Sequence, residues 1–522
     1  MLLVGPPAPQ LQAQSTAPFA PGERWSVRPP SSATWIPRDA TFTAQGELVW
    51  AAASGVRPEV FLSSVAPVSD PLLLRDTDFD GAVGAVSVAA GPRPDQLYSL
   101  HQLSRPDSTL RQTLVRRYDA ESAALGNGFL PLWTHDMGAA VNAPAFLAID
   151  RAGTVLIAAT YDSSRSEVQL DRLDPLSGAL LGRVHLDGTA LRRLLLSADG
   201  KRIALAAGST LWVLDDDDTV LLEVELPTST AAVAFSRDGR TLAYGMGRSV
   251  LVREDAGTGF GAPSTIDGRI DDIATEVRLS DDGATLAIGW WNTFVQSEAE
   301  LEVVSLPTNT RLNSVRQTGG TPGLQNFPVT LDMTPDGRRI LFGLWGSGDS
   351  SSEILLVERG QPGSILSVDL PGSPYDLVLG PAGNRFISAS KDLHANLFAT
   401  SGVLQLFETG ERDLVMMDIP KPGHALRFLV QLSEPAMTWV LVGFAGANPL
   451  EFPRLFEGVF QLDPARTILP LITVPIGANQ VQASVQVPDG SIMIGLELAA
   501  QAWITTPTGP KLSGTVVRPV VL

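Results

Sequence analysis

Apolar stretches separated by tight polar turns recur along the middle of the chain. Four copies read LLSADGKRIALAA from Leu195, VAFSRDGRTLAYG from Val233, VRLSDDGATLAIG from Val277 and LDMTPDGRRILFG from Leu331. In each copy an Asp-Gly pair stands between two apolar stretches. This arrangement indicates a β-hairpin, because glycine adopts a positive φ without strain and aspartate tolerates the left-handed conformation. Each copy therefore predicts two antiparallel strands.

The spacing of these hairpins predicts how they assemble. The turn glycines stand at positions 153, 200, 239, 283, 337 and 383, in steps of 47, 39, 44, 54 and 46 residues. A period of about 40 to 50 residues with several short strands per unit is typical of β-propeller blades. The strand after each turn is apolar almost throughout, as in IALAA from Ile203 and ILFG from Ile340. Such strands are expected to be covered on both faces by neighbouring blades.

Divergent copies upstream extend the repeat toward the N-terminus. The candidate units lie near residues 36, 85, 145, 190, 230, 274, 327 and 374. We therefore predict an all-β fold with an eight-bladed β-propeller. Seven blades are the alternative if the first and last units share one blade, because propellers often close by pairing a strand from one terminus with strands from the other.

The pattern changes after Pro420, and this change predicts a second domain. Apolar strands over residues 424–432, 439–444, 458–462, 482–487 and 492–500 are separated by turn signals at the spacing of a β-sandwich. We predict a propeller over residues 31–418 and a small sandwich over 419–522. One extra degenerate blade is the alternative. Residues 1–30, rich in proline and alanine, are predicted to be a disordered tether or the remnant of a leader.

Charge and composition exclude several classes of partner. The chain has 38 Lys and Arg against 56 Asp and Glu, a net charge of −18, so its mean field repels nucleic acid. It has no cysteine, and no apolar run approaches the length of about 18 residues that a membrane span needs.

Residues 1–4 are too short for a signal sequence, but residues 10–15 resemble the end of one. We expect a periplasmic or secreted protein whose start was placed too late, with the cytoplasm as the alternative.

The Ser-x-Asp-Gly-Lys/Arg-x-Ile/Leu-Ala pattern, as at residues 197–204, resembles the β-propeller repeats of the TolB and YVTN type, which are loosely related to WD40. The resemblance covers about residues 36–417. Residues 424–522 resemble the C-terminal β-sandwich modules of large secreted bacterial proteins. Propellers of this kind include periplasmic adaptors, surface-layer proteins, lyases, lactonases and non-catalytic peptidase domains. The resemblance therefore implies a fold and selects no function.

One segment has the pattern of a calcium loop. Asp76, Asp78 and Asp80 place carboxylates at every second position before Gly81, as in the first half of such a loop. The twelfth position is Ser87 instead of the usual glutamate. Calcium is the one cofactor that the sequence predicts, and a blade turn that has this pattern by chance is the alternative.

Aromatic residues and one histidine are the remaining candidates for a binding face. Trp290, Trp291 and Trp345 follow the second strands of neighbouring units, so they are expected near one face, where aromatic rings bind partners or stack on sugars. Packing between blades is the alternative. His135 and Asp136 form the one His-Asp pair. The chain has no G-x-S-x-G motif and no metal-binding histidine spacing, so no catalytic residue is predicted.

Two functions remain open at this point. The first is a non-catalytic, extracytoplasmic propeller that binds a protein or a cell-surface glycan, with the sandwich as an attachment module. The second is a metal-assisted lactonase-like or lyase-like enzyme whose carboxylates, such as Asp76, Asp78 and Asp80, converge at the centre of the ring.

Overall fold

A computed structural model gives the fold of the chain, and β-strand is the main secondary structure of the described residues. The structure describes residues 23–28, 35–43, 48–55, 59–64, 82–93, 95–104, 111–119, 130–138, 144–162, 165–227, 231–257, 259–319, 325–346, 351–381, 383–395, 397–399, 401–409, 412–416, 422–432, 436–451, 459–462, 468–477, 480–488, 497–506 and 509–519. Within these ranges there is no helix long and apolar enough to cross a membrane. The fold prediction of an all-β chain is confirmed.

The chain divides into two compact units. The first comprises Met1–Leu379 with Ile387–Phe407, and the second comprises Gly380–Phe386 with Glu408–Leu522. A strand that crosses this division is described with the unit that contains most of its residues. The strands of the first unit are β1 (Glu23–Val27), β2 (Trp35–Phe42), β3 (Leu48–Gly55), β4 (Glu59–Ser64), β5 (Ala82–Ala90), β6 (Leu97–Ser104), β7 (Arg111–Tyr118), β8 (Trp133–Asp136), β9 (Ala145–Ile149), β10 (Leu156–Asp162), β11 (Glu167–Leu173), β12 (Leu180–Asp187), β13 (Leu191–Leu196), β14 (Arg202–Ala207), β15 (Thr210–Asp215), β16 (Val220–Glu225), β17 (Val233–Phe235), β18 (Thr241–Met246), β19 (Ser249–Glu254), β20 (Ser264–Asp267), β21 (Asp272–Leu279), β22 (Thr285–Asn292), β23 (Glu298–Ser305), β24 (Thr310–Thr318), β25 (Pro328–Met333), β26 (Arg339–Leu344), β27 (Ile354–Glu358), β28 (Leu366–Val368), β29 (Pro374–Leu379), β30 (Arg385–Lys391) and β31 (Gly402–Glu408).

The strands of this unit pair in sequence order to form successive antiparallel sheets. Sheets β9–β12, β13–β16, β17–β20, β21–β24 and β25–β28 each contain four strands. Strands β2–β4 and β5–β8 form two further groups, which Ser54 and Gly55 of β3 join by pairing with β5. The first strand of each sheet lies next to the first strand of the following sheet, so these strands are innermost. This is the arrangement of propeller blades, and the predicted propeller is confirmed.

The predicted Asp-Gly turns join the first and second strands of their sheets. In the turn after β13, the Ser197 hydroxyl donates to Asp199 at 2.7 Å, and Gly200 has a φ of 73°. The other Asp-Gly copies repeat this arrangement with Ser or Thr two positions before the aspartate. Turns of successive sheets also bond to each other, since the Ala198 amide donates to the Arg237 carbonyl at 2.9 Å. The turns therefore share one edge of the ring, here called the turn edge.

The ring closes through its N-terminal strand. Strand β1 pairs with β31, so the last sheet has the order β1-β31-β30-β29. The Ala40 amide of β2 donates to Asp376 of β29 at 3.1 Å, which links the first and last sheets. The disordered tether predicted over residues 1–30 is therefore wrong over Glu23–Val27, because these residues complete a sheet. The unit near residue 36 forms its own group of strands, β2–β4, so the first and last units do not share a blade, and only β1 joins the last sheet. The number of blades stays a prediction.

Apolar layers between neighbouring sheets hold the ring together. One layer combines Ile157 and Leu170 of one sheet with Leu205 and Trp212 of the next, all of them buried. Side chains on the second strands are buried on both faces, as their continuous apolar sequence predicts. Each sheet alternates its side chains between the two neighbouring layers. Consequently, residues next to each other on one strand belong to different layers.

Polar side chains on the innermost strands link the sheets at four consecutive junctions, from β25 through β29, β2 and β5 to β9. In each case a side-chain oxygen accepts the backbone N–H of the following innermost strand. The pairs are Asp332 with Leu379 N at 2.8 Å, Asp376 with Ala40 N at 3.1 Å, Asp39 with Val88 N at 2.7 Å and Ser87 with Leu147 N at 3.1 Å. The carboxylates of Asp332, Asp376 and Asp39 therefore have structural roles in this ring.

The second unit is built from two facing sheets. Its strands are β32 (Arg412–Met416), β33 (Ala425–Leu432), β34 (Met437–Gly443), β35 (Ala445–Glu451), β36 (Val459–Leu462), β37 (Leu469–Ile472), β38 (Val474–Gly477), β39 (Gln480–Gln486), β40 (Glu497–Thr506) and β41 (Gly509–Pro519). Sheets β32-β33-β39-β38 and β37-β34-β40-β41 share one core that includes Phe428 and Val440. This is the predicted sandwich. The predicted boundary at residue 419 is wrong, because β32 pairs with β33.

Candidate functional site

Trp290 belongs to the core between two blades and not to a binding face. It is 2% exposed and packs with residues of the preceding sheet, including Val250 and Ile266. Its indole Nε1 donates to Glu302 at 2.8 Å. The prediction of Trp290 as a face residue is therefore wrong. The reason is the period of two along β22, which directs successive side chains to opposite sides of the sheet.

Trp291 lies on the other side of β22 and joins an aromatic stack. Its ring centroid is 5.2 Å from that of Phe327, at 69° between planes, and Phe327 is 5.6 Å from Trp345 at 50°. Both tryptophans are half-buried. The Trp291 Nε1 donates to the Gln296 carbonyl at 2.9 Å, which leaves its indole N–H satisfied. The structure thus brings two of the predicted tryptophans together through Phe327.

The stack continues into a cationic region on the last and first sheets. Lys391 Nζ lies 5.4 Å from the Trp345 ring centroid and 6.0 Å from that of Tyr375. The Arg38 guanidinium carbon lies 4.3 Å from the Tyr375 centroid. Cations over aromatic faces at these distances are attracted by the ring quadrupole. We call the six residues Trp291, Phe327, Trp345, Lys391, Tyr375 and Arg38 the belt.

The belt lies at the edge of the sheets opposite the turn edge. Trp291, Trp345 and Lys391 stand at or just after the ends of second strands, whereas Phe327, Tyr375 and Arg38 stand at or near the starts of first strands. In a sheet whose first and second strands are joined at the turn edge, both places lie at the other end. No periodic signal marked Phe327, Tyr375, Arg38 or Lys391 in the sequence.

Exposed apolar side chains flank the belt on two loops that join second and third strands. Phe294 is 84% exposed and stands beside the exposed Val295 on the loop after β22. Phe398 is 98% exposed and shares the loop after β30 with Leu393 and Leu397, which are also exposed. We call these the flanking loops.

Both flanking loops are bonded to the backbone of the sheet between them. The Gln296 carbonyl accepts the Asn326 amide at 2.9 Å. The Ala395 amide donates to the Trp345 carbonyl at 3.2 Å. Lys391 Nζ donates to the carbonyls of Ala395 and, at 2.9 Å, Leu397. These bonds give the exposed side chains a fixed support.

His135 and Asp136 lie apart from the belt. His135 Nε2 is 2.9 Å from Asp171 Oδ2, and Arg183 binds both oxygens of that carboxylate at 2.6 and 2.7 Å. Burial acts to raise the pKa of Asp171, but the hydrogen bonds from His135 and Arg183 hold it below its usual range. Asp136 accepts the Gly138 amide at 2.7 Å. The structure therefore gives His135 a partner in the neighbouring sheet and does not pair it with Asp136.

Three further carboxyl groups with shifted pKa values lie on the innermost strands. Burial raises the pKa of Glu276 to about 7, against the opposing effects of Arg193 and Arg278. The Arg193 guanidinium is 3.7 Å from the Glu276 carboxylate. Burial also raises the pKa of Asp39 and, together with the nearby Asp39 carboxylate, that of Asp376.

The predicted calcium ligands Asp76, Asp78 and Asp80 lie outside the described residues. Among the residues that the structure does describe, no group of three or more His, Asp or Glu is arranged to hold a metal ion. Calcium at these three aspartates stays a prediction.

The chain has distant similarity to solved structures. No protein-family model matches the chain, and no curated protein matches it. The chain is similar to one in a crystal structure of the mitotic checkpoint complex, with 14% identity over 61% of this chain and 88% of that chain, at a TM-score of 0.41. It is also similar to KlHsv2 with loop 6CD replaced by a Gly-Ser linker, with 14% identity over 59% and 89% and a TM-score of 0.40. Sequence identities and TM-scores this low support no statement about function.

Proposed function

We propose that this protein is a non-catalytic propeller that binds a protein partner through the belt and its flanking loops. The observation that carries the proposal is the exposure of Phe294 and Phe398 on loops at the same edge as the aromatic stack. Single exposed apolar residues are common on soluble proteins. Several of them beside half-buried tryptophans at one edge of adjacent sheets are typical of an interaction surface.

The stack is suited to anchoring a partner. Tryptophan is enriched among the residues that contribute most to protein interfaces. Trp291 and Trp345 contact Phe327 at 5.2 and 5.6 Å, so their rings lose little freedom when a partner binds. A surface that is ordered beforehand binds more tightly, because less conformational entropy is lost.

Finer parts of the proposal concern the kind of partner and the location. A cell-surface glycan is the alternative partner, because aromatic rings also stack on sugars, but the aliphatic side chains of Leu393 and Leu397 favour a protein.

A location outside the cytoplasm is supported by the leader-like residues 10–15 and the Pro/Ala-rich segment after them. The kinship with TolB and YVTN repeats rests on the Asp-Gly turn pattern. The metal-assisted lactonase-like or lyase-like enzyme stays a prediction that rests on Asp76, Asp78 and Asp80.

A paired-variant enrichment tests the proposal. The double variant Phe294→Ser/Phe398→Ser removes the two most exposed aromatic side chains of the flanking loops. The matched control, Leu181→Ser/Ile365→Ser, removes exposed apolar side chains that lie outside the belt and its flanking loops. Tagged proteins are used to enrich partners from extract of the producing cell, and the captured proteins are quantified.

We expect a partner that the wild type and the control retain and that the Phe294→Ser/Phe398→Ser variant loses. A photo-crosslinking side chain at position 294 should form an adduct with that same partner, whereas one at position 181 should not. Equal retention by both double variants, or adducts only at position 181, would contradict the proposal.

A further inference from the structure

We infer that the belt binds an acidic segment of the partner protein, with a carboxylate on Arg38 and neighbouring apolar side chains on the aromatic stack. This inference rests on the proposed function and adds the chemistry of the partner. It is carried by the position and bonding of Arg38 and Lys391 within the belt.

No described carboxylate forms an ion pair with either of the two cations of the belt. In a chain with a net charge of −18, no carboxylate of the described residues lies within ion-pair distance of Arg38 or Lys391. Arg316, by contrast, binds Glu298 and Glu300. The nearby carboxylates of Asp39 and Asp376 are occupied by backbone N–H groups of the innermost strands. Among the described residues, the belt thus carries two cations that have no ion-pair partner, in a chain of negative net charge.

Arg38 has hydrogen-bonding groups available for a ligand. Its Nε donates to the Ser54 hydroxyl at 2.9 Å, and its side chain is half-buried. A guanidinium carries five N–H donors in a planar fork, so the donors on its terminal nitrogens remain after this bond. The fork matches the two oxygens of a carboxylate.

The local backbone directs Arg38 to this place. Pairing of β2 with β3 shifts register between Pro37 and Asp39, which makes Arg38 the extra residue of a β-bulge. Bulges turn a side chain away from the direction that regular alternation gives it. The guanidinium lies over the Tyr375 ring, and stacking of this kind limits its rotation. Arg38 is thus positioned before any partner binds.

Lys391 contributes charge without direct contact. Its side chain is buried and its ammonium group is bonded to the carbonyls of Ala395 and Leu397. Burial and the charge of Arg38 both lower the pKa of Lys391. The two cations therefore repel each other, and an anion bound at Arg38 would relieve this repulsion.

The spacing of the belt fits an extended peptide. Successive groups along the belt are 4.3 to 6.0 Å apart, from Trp291 through to Arg38. An extended peptide advances about 3.3 Å per residue, so a few residues separate a carboxylate at Arg38 from apolar side chains at the stack. A segment that alternates acidic with aromatic or aliphatic residues can place a carboxylate at Arg38 and apolar side chains on the aromatic stack.

Fluorescence anisotropy with defined probes tests the inference on the full-length protein. The first probe is a labelled nonapeptide of glutamates interspersed with two phenylalanines and a leucine. The second is the same peptide with lysine in place of glutamate. The third is an oligogalacturonate, which carries carboxylates on a sugar backbone. Each is titrated at low and at high salt, because screening weakens a charge-dependent contact.

We expect the glutamate peptide to bind at least about tenfold more tightly than the lysine peptide and the oligogalacturonate, and to weaken as salt rises. Arg38→Gln should weaken it about tenfold, and Arg38→Lys should weaken it less, because it keeps the charge but loses the fork. The control is Arg240→Gln at the turn edge, where Arg240 is largely exposed, and it should bind as the wild type does. Thermal unfolding of each variant checks that the fold is kept.

Three results would overturn the inference. They are equal binding of the lysine peptide, tighter binding of the oligogalacturonate, and unchanged binding by Arg38→Gln. If any of them appears while the Phe294→Ser/Phe398→Ser variant still loses its partner, the proposed function stands and only the acidic nature of the partner is wrong. If Arg38→Gln loses the peptide while that double variant keeps every partner, the proposed function fails separately.

Discussion

Closure of the ring by strand β1 yields a sharp prediction, because the sequence had suggested a disordered segment there. Val27 is the side chain to perturb. It is 3% exposed and packs with Leu404 and Leu406 of β31 in the layer between the last and first sheets. Val27→Ala removes two carbon groups from this layer and leaves the backbone pairing of β1 possible.

The cost follows from the buried volume that is lost. Each buried CH₂-sized group contributes about 0.8 kcal/mol, so two contribute about 1.6 kcal/mol. The residual cavity adds a smaller amount, which gives a total of about 2 kcal/mol. Val220→Ala is the matched control, because Val220 also lies on an outermost strand but is 42% exposed. Its cost should stay within about 0.5 kcal/mol.

Amide hydrogen exchange read by mass spectrometry measures this effect locally. A loss of about 2 kcal/mol in the free energy of opening should speed exchange of the 402–408 segment about thirtyfold in Val27→Ala, since about 1.4 kcal/mol corresponds to a factor of ten. The same segment in Val220→Ala should exchange as in the wild type. Equal exchange in the two variants would refute the closure of the last sheet by β1.

Three further predictions test the core, the buried ion pair and the innermost strands. Trp290→Ala should lower the free energy of unfolding by about 3 to 5 kcal/mol, whereas Trp291→Ala should cost clearly less and weaken partner binding; equal losses on denaturation would contradict this assignment. Asp171→Asn should cost about 3 kcal/mol because it leaves Arg183 and His135 without their carboxylate, whereas the exposed Asp136→Asn should stay within about 0.5 kcal/mol in the same denaturant titration. Glu276 has its pKa raised from 4.5 to about 7, so the folded state holds this proton more tightly than the unfolded state does, and the resulting stability is present below pH 4.5 and lost as pH rises through about 7. In Glu276→Gln the loss of folding stability between pH 4.5 and about 7 should be smaller by up to about 3 kcal/mol. An unchanged dependence of stability on pH would contradict the assignment of this loss to Glu276.

The hairpins were predictable because their cause is local. The Ser197, Asp199 and Gly200 side chains and backbone determine the turn among themselves, within a few residues of chain. The period of these turns then indicated blades, since the strand after each turn is too apolar to face water on either side. The sandwich was predictable for a similar reason, although β32 showed that its first strand begins before the change in pattern.

Only part of the candidate site was predictable from the sequence. The residues that were assigned wrongly or not found have one physical reason in common. Trp290 and Trp291 are adjacent in sequence, and the sequence did not show which of them faces the core, because this depends on the register of β22 against its neighbours. His135 finds its partner Asp171 on a different sheet. Side chains that meet across sheets have no fixed spacing along the chain.

The sequence by itself determined the repeating hairpin, the all-β class and the acidic surface, because these depend on local turn chemistry and on the composition of each strand. Only the tertiary structure decided that Glu23–Val27 closes the ring, and that Arg38, Tyr375 and Lys391 continue the stack of Trp291 and Trp345. The physical reason is that ring closure brings the two ends of the repeat together. Residues separated by more than three hundred positions, such as Ala40 and Asp376, then become hydrogen-bonded neighbours.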